Sequence, residues 1–244
     1  MSVLARRIAR SASQVMRQSR LLAKAAKPEM DYEEFEPQFE EMRPAQSDDV
    51  VVEVDEVSSD FTAQAVVNGE IEPLSLSNFE GKWVVLFFYP LDFTFVCPTE
   101  ILEFSAKANE FEEVNAQVLG ISVDSVYSHL AWQKTDKSEG GLGGYLNFPL
   151  LSDLDRSISE SFGALREEGF TNRTTVIIDP EGVVKHLSTN APEVGRNVDE
   201  VLRLVKAYQH AAEHGEVCPA GWKDSGDKTI VPNPEDAKEY FSTM

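Results

Sequence analysis

The sequence predicts an α/β domain, a central sheet covered by helices, preceded by two segments of different character. Three observations carry this. Trp83-Val84-Val85-Leu86-Phe87-Phe88-Tyr89 is an unbroken apolar and aromatic run, the length and composition of a strand buried on both faces. A helical pattern and a second buried strand, Val118–Val123, follow within about 40 residues, which makes a right-handed βαβ unit. Charge also divides the chain: residues 1–28 hold seven Lys and Arg and no acid, whereas all 42 Asp and Glu lie beyond them.

Each segment has a local reason. At about 100° per residue, Leu4, Ile8, Val15 and Leu22 share one sector of a helix, and Arg6, Arg10, Arg17, Arg20, Lys24 and Lys27 lie opposite. An amphipathic, Arg- and Ser-containing, acid-free N-terminus reads as an organelle transit peptide, here for import into the mitochondrial matrix. Residues 29–57 are dense in acid and interrupted by Pro37 and Pro44, and read as a solvated flexible linker. The folded domain is expected over 58–231 and a C-terminal tail over 232–244.

Within the domain, Asn68-Gly69 marks a hairpin turn. Pro98 opens a helix with Ile101, Phe104, Ala108 and Phe111 at three- and four-residue spacing. Asp124 or Ser125 caps a short helix running through Trp132. Thr175–Ile178 is a strand, turned by Asp179-Pro180-Glu181-Gly182 into Val183-Val184. Asn197 caps a helix with Val198, Val201, Leu202, Val205 and Tyr208 in one stripe, ended by Gly215. The tail closes on a short helical stretch at Tyr240-Phe241.

Composition excludes several functions. A net charge of −20 argues against a broad basic face for nucleic acid. No apolar run reaches the ~18 residues of a membrane span. With Cys97 and Cys218 the only cysteines, neither a disulfide-dense scaffold nor a four-cysteine zinc site can form.

The chemistry concentrates at Tyr89-Pro90-Leu91-Asp92-Phe93-Thr94-Phe95-Val96-Cys97-Pro98-Thr99-Glu100. A buried strand delivers a cysteine to the first turn of a helix, where unpaired N–H groups and the positive end of the macrodipole favour negative charge. A thiolate is the reactive form of cysteine. Glu100 stands where a Cys-x-x-Cys pair would have its second thiol, so no disulfide forms within that turn. By this argument alone Cys97 is as much a small buried hydrophobe as a nucleophile.

Pro90-x-x-x-Thr94-x-x-Cys97 resembles the peroxidatic motif of the peroxiredoxins, and His214-Gly215-Glu216-Val217-Cys218-Pro219-Ala220-Gly221-Trp222 resembles the resolving-cysteine segment of their typical two-cysteine class. The likeness spans about Phe61 to Phe241. It implies a thioredoxin-like fold with a mixed sheet and a C-terminal extension, and a thiol peroxidase needing no cofactor and no metal. It implies Cys97 as the peroxidatic nucleophile and Cys218, from a partner chain, as the resolver. Thr94 would hold thiolate and peroxide together, Pro90 would shield the sulfur, and Arg173 would supply the cation, with Arg166 as the alternative. Glu100 and Arg196 would be supporting ion-pair positions. The implied partners are a second copy in a homodimer, a ring of such dimers, a thioredoxin-like dithiol reductant and a sulfinic-acid repair enzyme. Gly140-Gly141-Leu142-Gly143 and Tyr240-Phe241 match features that pack over the active-site helix in oxidation-sensitive members, although an ordinary flexible loop fits the glycines equally. A holdase chaperone and a peroxide-sensing relay are the competing functions.

Other signals are discounted. His210-Ala-Ala-Glu213-His214 has the spacing of a zinc-protease pattern, but its helix ends at Gly215 and no further acidic ligand follows at recognisable spacing. His129 and His186 read as isolated surface residues.

Overall fold

The computed structural model describes residues 51–244; the basic N-terminus and most of the acidic segment, residues 1–50, lie outside the described residues. The alternation read from the sequence folds as a seven-stranded sheet, in the spatial order β2-β1-β5-β4-β3-β6-β7. The strands are β1 (Thr62–Val67), β2 (Glu70–Ser75), β3 (Trp83–Phe88), β4 (Ala116–Ser122), β5 (Leu150–Ser152), β6 (Arg173–Ile178) and β7 (Val184–Asn190). The helices are α1 (Cys97–Ala106), α2 (Ala108–Glu113), α3 (Val126–Lys134), α4 (Ser157–Ser161), α5 (Val198–His214) and α6 (Ala237–Phe241). The sheet is mixed: β3–β4 and β4–β5 pair parallel, and the other pairs are antiparallel.

β3 explains its own composition. Trp83, Val85 and Phe87 face one core with Cys97, Ile101 and Phe104 of α1 and Val198, Val201, Leu202 and Val205 of α5. Val84, Leu86 and Phe88 face a second core with Ala65, Ile158 and Phe162. Both faces of the strand are therefore covered, and no polar alternation survives. Gly120 of β4 is required by close approach, since a Cβ there would sit 2.8 Å from the Phe87 ring, which itself stacks on Phe104 at 4.4 Å.

The Asn68-Gly69 hairpin forms as expected, both residues having positive φ. Ser125 caps α3 and Asn197 caps α5, which Gly215 ends at φ +67. Three details depart from the reading. The helix expected over 98–111 is two, broken at Lys107, and beside the break the Asn147 side chain donates to the Ser105 carbonyl at 2.9 Å. β5 has only three residues, too few to show a period, yet sits mid-sheet between β1 and β4. Residues 51–57, expected as linker, pack on the domain: Val52 N–H donates to Ser161, Asp55 N–H to Val184, and Val57 bridges Val183. No helix among the described residues is long and apolar enough to cross a membrane.

Candidate active site

Cys97 is the first residue of α1, with Pro98 next, where a missing N–H costs no hydrogen bond. Its side chain is fully buried. β6 runs antiparallel to β3, with Thr175 opposite Phe87, so Arg173 lies past the end of β3, beside the loop leading to Cys97. Arg173 Nη1 donates to Cys97 Sγ at 3.4 Å and to Glu100 Oε2 at 2.6 Å. Its Nε donates to the Pro192 carbonyl at 2.8 Å, which fixes the guanidinium plane.

Glu100 holds a second arginine. Its carboxylate accepts from Arg196 backbone N–H at 2.8 Å, Nε at 2.9 Å and Nη2 at 3.0 Å. Arg196 also donates to the Thr174 carbonyl and lies 5.1 Å over the Phe87 ring. All three charged side chains are nearly removed from water. Burial pushes the Glu100 carboxyl up, but Arg196 and then Arg173 outweigh it, and the group is held below the ordinary carboxylate range. Burial pulls Arg196 below the usual guanidinium range, against the opposing pull of Glu100. Two buried cations and one carboxylate leave one net positive charge beside Cys97 Sγ.

The remaining expected residues fall into place unequally. Pro90 is buried at the end of β3. Thr94 is half-buried, and its hydroxyl donates to the Leu91 carbonyl at 2.8 Å, which leaves its oxygen free to accept. Arg166 is not at the site: it forks onto Glu168 and donates to Asn172. Cys218 lies beyond the C-terminus of α5, half-buried, and both cysteines are free. Burial pushes the Cys218 thiol up, Arg203 pulls it down and Glu216 pushes it up, for a net rise.

A family model described as the AhpC/TSA family matches residues 54–187, and one described as the C-terminal domain of 1-Cys peroxiredoxin matches 207–243. This chain belongs to the peroxiredoxins. Peroxiredoxin-2 of Cricetulus griseus is 57% identical over 75% of this chain and 92% of its own length. The mitochondrial thioredoxin-dependent peroxide reductase of Homo sapiens is 58% identical, over 75% of this chain and 72% of its own. Among solved structures, reduced Plasmodium vivax 2-Cys peroxiredoxin superposes with a TM-score of 0.75 at 42% identity, covering 78% of this chain and 98% of that one. The protein is thus a thiol peroxidase, and its sheet is the thioredoxin-like fold that the resemblance implied.

One part of this peroxiredoxin's site was misread in the sequence. His129, expected at the surface, is fully buried. Its Nδ1 is 2.8 Å from Asp92 Oδ2, and its Nε2 is 3.1 Å from the Leu151 carbonyl. Tyr89 donates to the other Asp92 oxygen at 2.9 Å, and Asp92 N–H donates to Asp124 at 2.9 Å. Burial and the neighbouring Asp92 push both Tyr89 and Asp124 up. This network pins the first half of the Pro90–Val96 loop. His129 and Asp92 are separated by 37 residues, and no local pattern joins them. His186, also expected at the surface, is half-buried.

The glycine loop is held in place: Trp132 Nε1 donates to Gly140 at 2.8 Å, and Leu142 is buried with Cys97 and Trp132 in one core. Tyr240 and Phe241 close α6. Their rings meet edge-on at 6.0 Å and Phe241 is 57% exposed. In a single chain, α6 buries only Ala237.

Proposed function

We propose that Cys97 is the peroxidatic cysteine, with Arg173 its cation, Thr94 and Pro90 its substrate-side neighbours, and Glu100 and Arg196 the charges that hold Arg173. The contact between Arg173 Nη1 and Cys97 Sγ at the first residue of a helix is the observation that carries this reading. The thiolate attacks one peroxide oxygen, an S–O bond forms and the O–O bond breaks. The departing oxygen leaves as alkoxide or hydroxide and takes up a proton to become alcohol or water. Arg173 faces the charge that develops there, and Thr94 accepts a hydrogen bond from the peroxide. Cys97 is left as sulfenic acid.

Cys218 of a second copy then attacks that sulfur, forming an intersubunit disulfide and releasing water. A thioredoxin-like dithiol reduces the disulfide, its two thiols becoming oxidised. The minimal unit is a homodimer, assembling into a ring, and a sulfinic-acid repair enzyme serves the over-oxidised form. The protein acts in the mitochondrial matrix. The basic, acid-free residues 1–28 support this, as do relatives that carry the word mitochondrial in their names. Cys97→Ser, measured by peroxide consumption with a dithiol reductant, is expected to have no turnover, and Cys218→Ser to stall after one equivalent. Turnover of Cys97→Ser near the wild-type rate refutes the assignment.

A further inference from the structure

The segment carrying Cys218 is fastened to α5 at three points. The Cys218 thiol donates to the Ala207 carbonyl at 3.5 Å. Arg203 Nη1 donates to the Trp222 carbonyl at 2.7 Å. The Trp222 ring, 2% exposed, lies 5.5 Å from the His210 ring. Between these anchors the chain turns tightly, Trp222 N–H donating to Pro219 at 3.1 Å with Gly221 at φ +80.

Arg203 is itself held. Its Nε and Nη2 fork onto Glu200 at 2.6 and 2.7 Å, which aims Nη1 at the turn. Only a planar guanidinium can make both grips at once. Arg203 and Ala207 are four residues apart on one helix face, so the cation sits one turn from the carbonyl that receives the thiol. The charged groups around Cys218 are Arg203 on α5 and Glu216 on its own segment. His210 of α5 faces Glu216 at 3.9 Å. Among these, Arg203 opposes both burial and Glu216.

We propose that Arg203 is a positioning residue for the resolving step, holding the Cys218–Trp222 turn on α5 and presenting a positive charge to the Cys218 thiolate. This rests on Cys218 being the resolver. In that step the thiol first loses its proton to solvent. The sulfur lone pair attacks the Cys97 sulfenic sulfur, the S–S bond forms, the S–O bond breaks, and hydroxide leaves to become water. Arg203 stays charged throughout and transfers no proton.

The test mixes the reduced full chain with hydrogen peroxide as wild type, Arg203→Gln, Arg203→Lys and Cys218→Ser, from about pH 6 to about pH 9, a range that spans ordinary thiol titration. Sulfenic acid is counted by mass after trapping, and disulfide by non-reducing gel. Sulfenic acid formation at Cys97 is expected to be unchanged in all four. Arg203→Lys, which keeps the charge and loses the double grip, is expected to form disulfide about fivefold more slowly at every pH. Arg203→Gln is expected to match that loss at alkaline pH and to fall further behind as pH drops and the thiolate becomes scarce. Arg203→Gln kinetics that equal wild type, or that run parallel to Arg203→Lys across the whole range, overturn the proposal. If Arg203→Gln does not fold, wild-type disulfide rates in Arg203→Lys overturn it instead. A disulfide that still forms in Cys218→Ser shows that the resolver assignment itself is wrong.

Discussion

Glu100→Gln tests the charge arrangement at the site most directly. The wild-type carboxylate is 2% exposed and accepts one hydrogen bond from Arg173 and three from Arg196. Glutamine keeps the volume and one acceptor oxygen but removes the charge, leaving two buried guanidinium groups facing each other. Breaking a buried ion pair by removing one partner costs about 3–5 kcal/mol. At about 2–4 °C per kcal/mol for a domain of this size, Tm is expected to fall by roughly 6–20 °C. The variant still folds at 25 °C, since domains hold about 5–15 kcal/mol. The sign with pH follows from the direction of the shift. Glu100 is held below the ordinary carboxylate range in the folded state. Its contribution is therefore complete above about pH 4.3 and is lost as pH falls through the folded value. The Tm gap between wild type and variant stays constant near neutrality and narrows only in acid. Thermal unfolding of reduced protein by circular dichroism, repeated across pH, reads this, and stopped-flow peroxide reduction is expected to slow at least tenfold as Arg173 loses its hold. A Tm within about 2 °C of wild type with unchanged peroxide kinetics refutes the reasoning.

Three further outcomes follow from other contacts. His129→Ala leaves the buried Asp92 carboxylate without its imidazole hydrogen-bond partner, and thermal melts are expected to show a loss of about 1–3 kcal/mol together with slower peroxide reduction. Deleting residues 238–244 removes a tail whose single buried residue, Ala237, remains; chain stability by denaturant titration is expected to change by less than about 0.5 kcal/mol, so any change in sulfinic acid yield reports docking on a partner chain. Residues 1–40 fused to a fluorescent reporter are expected to carry it into mitochondria, and to fail when the seven basic residues of 1–28 become glutamine.

Much of the fold was legible because its signals are local. A strand buried on both faces must be apolar throughout, so β3 announced itself. The caps at Ser125 and Asn197 and the stops at Asn68-Gly69 and Gly215 are properties of a few adjacent residues. The cysteine at a strand-to-helix turn was legible for the same reason, and the two motifs flanking Cys97 and Cys218 carried the family. Other features depend on what lies across the sheet. Three-residue β5 has no period of its own and forms because β1 and β4 stand on either side of it. Beside the break at Lys107, the Ser105 carbonyl accepts from Asn147, forty-two residues away. Arg173 and Arg166 look alike in sequence, and only the antiparallel register of β6 against β3 brings Arg173 to the sulfur. His129 is a lone histidine until the fold sets it against Asp92 in a place water does not reach. Sequence by itself determined which residues could carry the chemistry, because reactivity begins with side-chain type and helix position. Tertiary structure decided which charges are buried together, because the strength of an ion pair depends on distance and on the exclusion of water, and neither is a property of the chain in order.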